Sequence, residues 1–247
     1  MDHLDSRTDL NIIQVEPGFT LSVNKPLGWT SFDVVNKIRF HLKFHWKQKK
    51  IKVGHAGTLD PLADGLLIIG VGKGTKCLEN WMGQEKVYSG VMKLGVKTPS
   101  YDRESNEYDP KSIINIFHDD LINCSQSFLG TIKQYPPIFS ALKKDGVPLY
   151  KIARRGDHVD LPARNVVVHN FEIIKWDSPY LTFRVRCGKG TYIRSLANDF
   201  GEKMGTGAYL YSLKREKIGH HHIDEAFEID ALISALSLVK SPKITTS

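Results

Sequence analysis

Cysteine is scarce in this chain. Its three residues, Cys77, Cys124 and Cys187, lie far apart, and none belongs to a C-x-x-C pair. That spacing excludes a disulfide framework and a cysteine-rich zinc site, and fits a reducing interior in which each thiol is a small buried apolar group. Long hydrophobic runs are also lacking. No stretch approaches the ~20 apolar residues that span a bilayer, and the opening "MDHLDSRTDL" has no hydrophobic signal region. The expectation is a soluble, cytoplasmic protein with no membrane partner. Acid is in short supply as well: 27 Asp and Glu stand against 34 Lys and Arg, a net charge of +7. A basic excess favours a polyanionic partner, with nucleic acid first.

Several cofactor and catalytic signatures are missing. "GVGKGTK" (70–76 region) does not have the G-x-x-x-x-G-K-[ST] order of a phosphate loop, and its G-x-G-x-G spacing does not make a dinucleotide fingerprint. No serine sits in a G-x-S-x-G elbow. His220, His221 and His222 are adjacent, and adjacent side chains on a strand or helix do not converge on one ion. The sequence therefore gives no reason to expect a cofactor or a metal.

What is present is enough apolar residue, 41% of 247, for a sizeable core in one large domain or two small ones. Strands are expected at Phe19–Val23, 65–72, 87–96 and 181–193. Helices are expected over 31–42, capped by Thr30 or Ser31, and over 111–129, 147–156 and the segment following Tyr192. Strands and helices mix without regular βαβ alternation, which favours α+β over a doubly wound sheet. Five lysines fall between Lys43 and Lys52, directly before "GHAGTLDP" (54–61). A charge run of this kind is either a solvated face or an RNA-facing one, and its position favours the latter.

Asp60 stands out within that loop. Gly54 and Gly57 permit unusual backbone angles, and Pro61 restricts Asp60 itself. Such a loop can form a turn, or it can hold a carboxylate in a fixed direction. Tyr88 follows Lys86 in "KVYSGVMKLG". Tyr192 and Arg194 alternate in "GKGTYIRS", hence on one face if the chain is extended there. A tyrosine beside an arginine suits a nucleobase: the ring stacks and the guanidinium pairs with an acid or phosphate.

Five segments, "KPLGWTSFDVVNKIR", "KVGHAGTLDPLADGLLIIGVGKGTK", "KVYSGVMKLG", "QYPPIFSALKKDGVPLYKIARRG" and "RCGKGTYIRSLANDFGEKMGTGAYLYSLKREKIG", occur in order. Together they resemble the successive motifs of the TruB family of tRNA pseudouridine synthases, over roughly residues 19–220. The resemblance implies an α/β (α+β) catalytic domain around a mostly antiparallel mixed sheet. It implies a cofactor-free isomerisation of uridine to pseudouridine, at position 55 in the TΨC loop of tRNA. The C1′–N1 bond breaks, the uracil turns, and C5 bonds to C1′.

By the same resemblance, Asp60 is the catalytic carboxylate and Arg194 the cation that pairs with it. Tyr88 stacks on the target base and assists proton transfer. Tyr192 and Leu213 line the pocket, and Asp102 is an orienting acid. His55 enters the space that a flipped base leaves. The segment 134–156 is an RNA-covering insertion in which Lys143, Lys144, Arg154 and Arg155, with Lys86 beside Tyr88, are candidate RNA contacts. Residues 1–18 read as an N-terminal extension, and 221–247 as a C-terminal helix and tail too short for the PUA-type RNA-binding domain of many relatives. Asp64 and Gly188 stand where the family often has threonine and serine. The expected state is a monomer acting on the T-arm with no obligatory protein partner. The competing expectations are the catalytic subunit of a guide-RNA particle and a non-catalytic tRNA-folding module.

Overall fold

The computed structural model describes residues 2–10, 18–45, 50–139, 143–144, 146–149, 152 and 161–238. The chain divides into two compact units: residues 1–86 with 214–247, and residues 87–213. Both combine sheet and helix, and the mixed α/β class with a central, mostly antiparallel sheet stands as expected from the sequence. Among the described residues, no helix is long and apolar enough to cross a membrane.

The first unit is built on β2 (Gly18–Lys25) and β4 (Ala63–Gly72), an antiparallel pair in which Val23 faces Leu67. Two short strands, β1 (His3–Leu4) and β13 (Phe227–Glu228), add to β2 in parallel. A third, β3 (Val53–His55), pairs antiparallel with β4 and sets His55 against Ile69. The side-chain alternation of β4 divides the core. Leu67 and Ile69 pack with Val35, Ile38 and Leu42 of α1 (Ser31–His45) and with Leu232 and Leu236 of α5 (Ile229–Leu238). Leu66 and Ile68 face the other way, onto Ala56, Leu78 and Ile218.

The start of α1 resolves the choice between its two candidate caps. Asp33 N donates to Thr30 Oγ1 at 3.0 Å, while Thr30 N donates to Asp33 Oδ2 at 2.8 Å, a reciprocal capping box. Thr30 is the cap, and Ser31 is left to turn inward. A 3₁₀ turn (Lys73–Cys77) and α2 (Leu78–Gly83) lead to β5 (Lys86–Leu94).

The second unit orders its strands β5–β10–β9–β6, with β6 at Gly130–Gln134, β9 at Arg164–Asp177 and β10 at Tyr180–Cys187. Its core is a group of rings: Phe171 meets Phe183 at 5.7 Å and Phe200 at 5.8 Å, with Phe128 at 6.2 Å from both Phe171 and Phe200. Each tilted or edge-on pair adds about 0.5–1.5 kcal/mol beyond its buried area. Phe128 follows α3 (His118–Gln126), and Phe200 belongs to α4 (Ile193–Lys203). The long strand β11 (Ala208–Ile218) supplies residues to both units, and β12 (His221–His222) pairs with its end.

Two expectations need correction. The helix read over 111–129 is confined to His118–Gln126. Phe117, counted into its apolar rhythm, is 69% exposed, and Ile114 nearby is 89% exposed. The backbone there is spent elsewhere: Lys111 N donates to Gly95 O at 2.8 Å, and Phe117 N to Asp120 Oδ2 at 2.9 Å as the helix starts. The strand read over 181–193 ends at Cys187, and a turn at Gly188–Thr191 precedes α4. Tyr192 and Arg194 therefore do not share one face of an extended chain. The apolar set Ile193, Leu196, Ala197 and Phe200 carries helical spacing from Ile193 onward, with all four buried. The helix expected over 147–156 falls mostly outside the described residues. There, Val147–Pro148 is β8, paired antiparallel with β7 (Lys143–Lys144).

Candidate active site

The Asp60 loop belongs to the first unit and is clasped from three directions. Leu59 N donates to Ser31 Oγ at 2.8 Å, and the Ser31 hydroxyl donates to Leu59 O at 3.1 Å. Gly28 N donates to Pro61 O at 2.8 Å, tying the turn after β2 to the far side of Asp60. Arg215 on β11 donates from Nε to Leu66 O at 2.7 Å and from Nη2 to Gly57 O at 3.1 Å. Its side chain is 1% exposed. Gly57 has φ 94°, and a Cβ on Gly65 would lie 2.4 Å from the Arg215 carbonyl oxygen, so both glycines are required by this packing. Asp60 itself is half-buried, and its carbonyl accepts Ala63 N at 3.1 Å.

A buried lysine shares this loop's surroundings. Lys25 is 0% exposed, and its Nζ donates to Pro26 O at 3.1 Å and Trp29 O at 2.5 Å. Burial pulls its pKa down to about 8, opposed by the negative charges of Asp64 and Asp60. The carboxylate loop and the ammonium are thus coupled through space within one unit. His55, at the end of β3, is held below the usual histidine range, first by burial and then by the Arg215 charge, against a hydrogen bond with the Gly57 backbone. It is a neutral ring at neutral pH, suited to stacking.

Lys86 has a different placement from the RNA contact expected of it. Its Nζ donates to Met82 O and Gln84 O, each at 2.6 Å, and to Trp81 O at 3.4 Å. The ammonium closes the C-terminus of α2, where carbonyls lack partners and the helix dipole favours a cation.

The second unit holds Tyr88, Asp102, Tyr192, Arg194 and Leu213. Tyr88 lies on the buried face of β5, 8% exposed, in register with Gly90 and Met92. Tyr192 is the N-cap of α4 and is fixed by an amide clasp: Tyr192 N donates to Gln134 Oε1 at 2.7 Å, and Gln134 Nε2 donates to Tyr192 O at 3.0 Å. Arg194, in the first turn of α4, is 6% exposed. Its Nη1 lies 3.5 Å from Asp102 Oδ2 and donates to Ser100 O at 3.3 Å.

The loop around Asp102 is built for that meeting. Thr98 Oγ1 and Ser100 Oγ both donate to Asp102 O, at 2.6 and 3.1 Å, and Glu104 N donates to Asp102 Oδ1 at 2.9 Å. Tyr101, just before it, takes φ 62°. A left-handed tyrosine costs of order 1–3 kcal/mol, which the surrounding hydrogen bonds offset. Leu213 is half-buried on β11. The backbone of Lys143 and Lys144 forms β7; their side chains, and Arg154 and Arg155 altogether, lie outside the described residues.

Sequence reasoning missed Lys25, Ser31 and Arg215. Ser31 was visible only as a possible cap. Lys25 and Arg215 sit in polar contexts, "VNKP" and "LKREK", where a buried cation looks like any surface one. The two-residue period running from Leu213 to Arg215 was the only available signal. Among the described residues, no group of three or more His, Cys, Asp or Glu is placed to hold a metal.

Comparison with known proteins identifies the family. The family model described as TruB family pseudouridylate synthase (N terminal domain) matches residues 43–193. A protein of Flavobacterium johnsoniae named tRNA pseudouridine synthase B is 47% identical, over 86% of this chain and 93% of its own length. One of Parabacteroides distasonis with the same name is 45% identical, over 84% of this chain and 88% of its own. Among solved structures, a chain of a Cbf5-Nop10-Gar1 complex superposes with a TM-score of 0.66 at 25% identity, covering 94% of this chain and 58% of that one. A chain of an H/ACA RNP bound to a substrate RNA containing 2′-deoxyuridine gives 0.63 at 26%, covering 88% of this chain and 52% of that one. The chain spans between half and three fifths of those two solved chains, against about nine tenths of the curated relatives. With a matching family model over most of its length and near-full-length relatives above 40% identity, the chain belongs to the TruB family of pseudouridylate synthases.

Proposed function

We propose that the chain isomerises uridine to pseudouridine in tRNA, at the TΨC-loop position 55, with Asp60 as the essential carboxylate. The observation that carries this reading is the match, over 86% of the chain, to a relative named tRNA pseudouridine synthase B. The clasped Asp60 loop supports it, because the chemistry asks for one carboxylate held still at the sugar. An ionised Asp60 attacks C1′ or C6, or removes the C2′ proton; each route breaks C1′–N1, frees the uracil to turn, and joins C5 to C1′. The proton displaced from C5 ends on N1, so no redox partner is needed.

Arg194 is the cation assigned to Asp60. Asp60 lies in the first unit and Arg194 in the second, and the pairing is carried by the family resemblance. Within its own unit Arg194 is anchored by Asp102 and Ser100 O, which fixes the direction of its fork. Tyr88 and Tyr192 are the aromatic faces for the extruded base, and neutral His55 fills the stack it leaves. Leu213 contributes apolar wall.

The test is direct. Purified protein is incubated with an unmodified T-arm stem-loop, without cofactor or metal, and pseudouridine is mapped by position. Conversion at the single expected uridine supports the reading. No conversion of either the stem-loop or a full tRNA transcript overturns it and revives the tRNA-folding alternative.

A further inference from the structure

Helix α1 has an outward face of large rings that stay exposed among the described residues. Val35, Ile38 and Leu42 are buried at 1% or less, as an amphipathic helix requires. Phe40 and Phe44 on the opposite side and Phe32 on the flank are 64%, 70% and 56% exposed. Three large rings there raise the cost of leaving the face in water. Phe40 and Phe44 stack on each other, with centroids 6.3 Å apart and planes 8° from parallel.

Beside this aromatic ridge runs a basic one. Arg39 donates to Val53 O and Asn36 Oδ1, each at 3.1 Å, and its guanidinium lies 5.8 Å from the Phe32 ring centroid. Two concavities of 520 and 760 Å³ share Arg39, Val53, Gly54 and Thr75 in their walls. They make one trough, with Phe32 and His55 at one end and Lys43, Lys50 and Lys52 at the other. Lys76 adds a further cation to the lining, and among the described residues Glu79 is its only acid. Cations along a groove with aromatic rings at its side are the chemistry of single-stranded nucleic acid binding. All of it lies in the first unit, with the Asp60 loop.

We infer that this trough and the ridge beside it hold the RNA of the target arm, with phosphates on Lys43, Lys50 and Lys52 in the trough and unpaired loop bases against Phe32 at its edge and Phe40 and Phe44 on the ridge. The inference rests on the tRNA reading above and names where, on this chain, affinity outside the uridine pocket resides. An acidic protein segment would satisfy the charges too. RNA is favoured because His55, five positions before Asp60, lines the trough, and the reading above already places RNA at Asp60.

The experiment uses the full chain and an unmodified tRNA transcript. Dissociation constants are measured over a salt series for wild type, Lys43→Glu/Lys50→Glu and Phe44→Ala, with thermal melts to confirm folding. The double charge reversal is expected to weaken binding at least tenfold, and to lower the slope of log K against log salt by about 1.4–1.8 for two phosphates lost. Phe44→Ala is expected to weaken binding about 5-fold or more, with little change in slope. Folded variants with wild-type affinity and slope overturn the trough. A photoreactive residue at Phe40 supports it by crosslinking to tRNA, and overturns it by crosslinking only to protein. Conversion by the wild type is run alongside: if wild type forms no pseudouridine, the tRNA reading fails, whereas conversion with unaffected variants fails the trough alone.

Discussion

Ser31 and Leu59 exchange two hydrogen bonds across 28 positions of sequence, with the serine hydroxyl both accepting from the Leu59 amide and donating to its carbonyl. Both residues are buried, at 2% and 3% exposure. Asp60 follows Leu59 directly, so the first turn of α1 sets where the carboxylate lies. Ser31→Ala leaves a buried N–H and C=O without this partner, at a cost of about 1–3 kcal/mol. We expect kcat for the T-arm stem-loop to fall about tenfold, with RNA affinity nearly unchanged, because positioning rather than binding is lost. A wild-type kcat in the folded variant would show that the loop keeps its place without the serine.

Arg215 is the second clasp, and its planar fork is what the site uses. Its Nε and Nη2 reach carbonyls of Leu66 and Gly57, nine positions of chain apart at either end of the Asp60 loop's return. A lysine at this position keeps the charge but cannot span both acceptors. Arg215→Lys is expected to lower stability by about 2–3 kcal/mol and to reduce kcat further than a core variant of equal stability. Calorimetry alongside single-turnover kinetics separates the two effects. Equal losses for the two variants would reduce Arg215 to a stability residue.

Much of this could be read beforehand, and the parts that could not share a cause. Strands with uninterrupted apolar content, such as Leu66–Ile69, announced themselves, and so did the α1 rhythm of Val35, Ile38 and Leu42. Asp60 was singled out by the family resemblance, since an acid in a glycine-bracketed turn can equally be a turn-former. The 111–117 error arose because Ile113, Ile116 and Phe117 mimic a helical stripe, while Lys111 N is committed to Gly95 O and Phe117 N to Asp120 as the helix starts. The bond to Gly95 is tertiary, and no local window contains it. Lys25, Ser31 and Arg215 escaped for the same reason: their partners are carbonyls and amides, which every residue possesses and no sequence pattern displays.

Arg194 and Asp102 offer a test of orientation against charge. Arg194 Nη1 lies 3.5 Å from Asp102 Oδ2 with both side chains 7% exposed, so the pair is sheltered from screening. Arg194→Lys retains the charge and loses the fork; kcat should fall at least 100-fold, with a smaller change in KM. Asp102→Asn should lower kcat less, by about 10-fold, since Ser100 O still holds the guanidinium. If Arg194→Lys turns over at the wild-type rate, the planar geometry is irrelevant to the chemistry.

Asp60→Asn removes one charge and almost no volume. The loop's grip runs through Leu59, Pro61 and Gly57 backbone atoms, so the fold should survive the change. Pseudouridine formation is expected to fall below detection, at least 10⁴-fold, while the variant still binds unmodified tRNA as wild type does. Measurable turnover by Asp60→Asn, in protein shown free of deamidation, would remove this residue from the chemistry.

His3 and His221 make the structure sensitive to acid away from the Asp60 loop. Their rings stack with centroids 3.7 Å apart, and Trp81 meets His221 edge-on at 4.6 Å. Thr20 and Ser22 hydroxyls occupy the two ring nitrogens of His3, at 2.9 and 3.0 Å. Burial comes first in holding both histidines down to about 4 from an ordinary 6.5. Each ring's neighbouring histidine adds repulsion, and Asp5 and Glu225 oppose the shift only in part. Because the folded values lie below the unfolded ones, the unfolded chain binds more protons between them. The stability this stack contributes is complete above about pH 6.5 and drains as pH falls toward 4. Allowing for partial exposure of the rings, the loss is on the order of 3 kcal/mol for the pair. His221→Phe keeps a flat ring against Trp81 and deletes one of the two protons. Urea midpoints measured from pH 7 to pH 4.5 should therefore fall less steeply for His221→Phe than for wild type. Parallel curves for the two proteins would mean that the stack takes up its protons without opposing the fold.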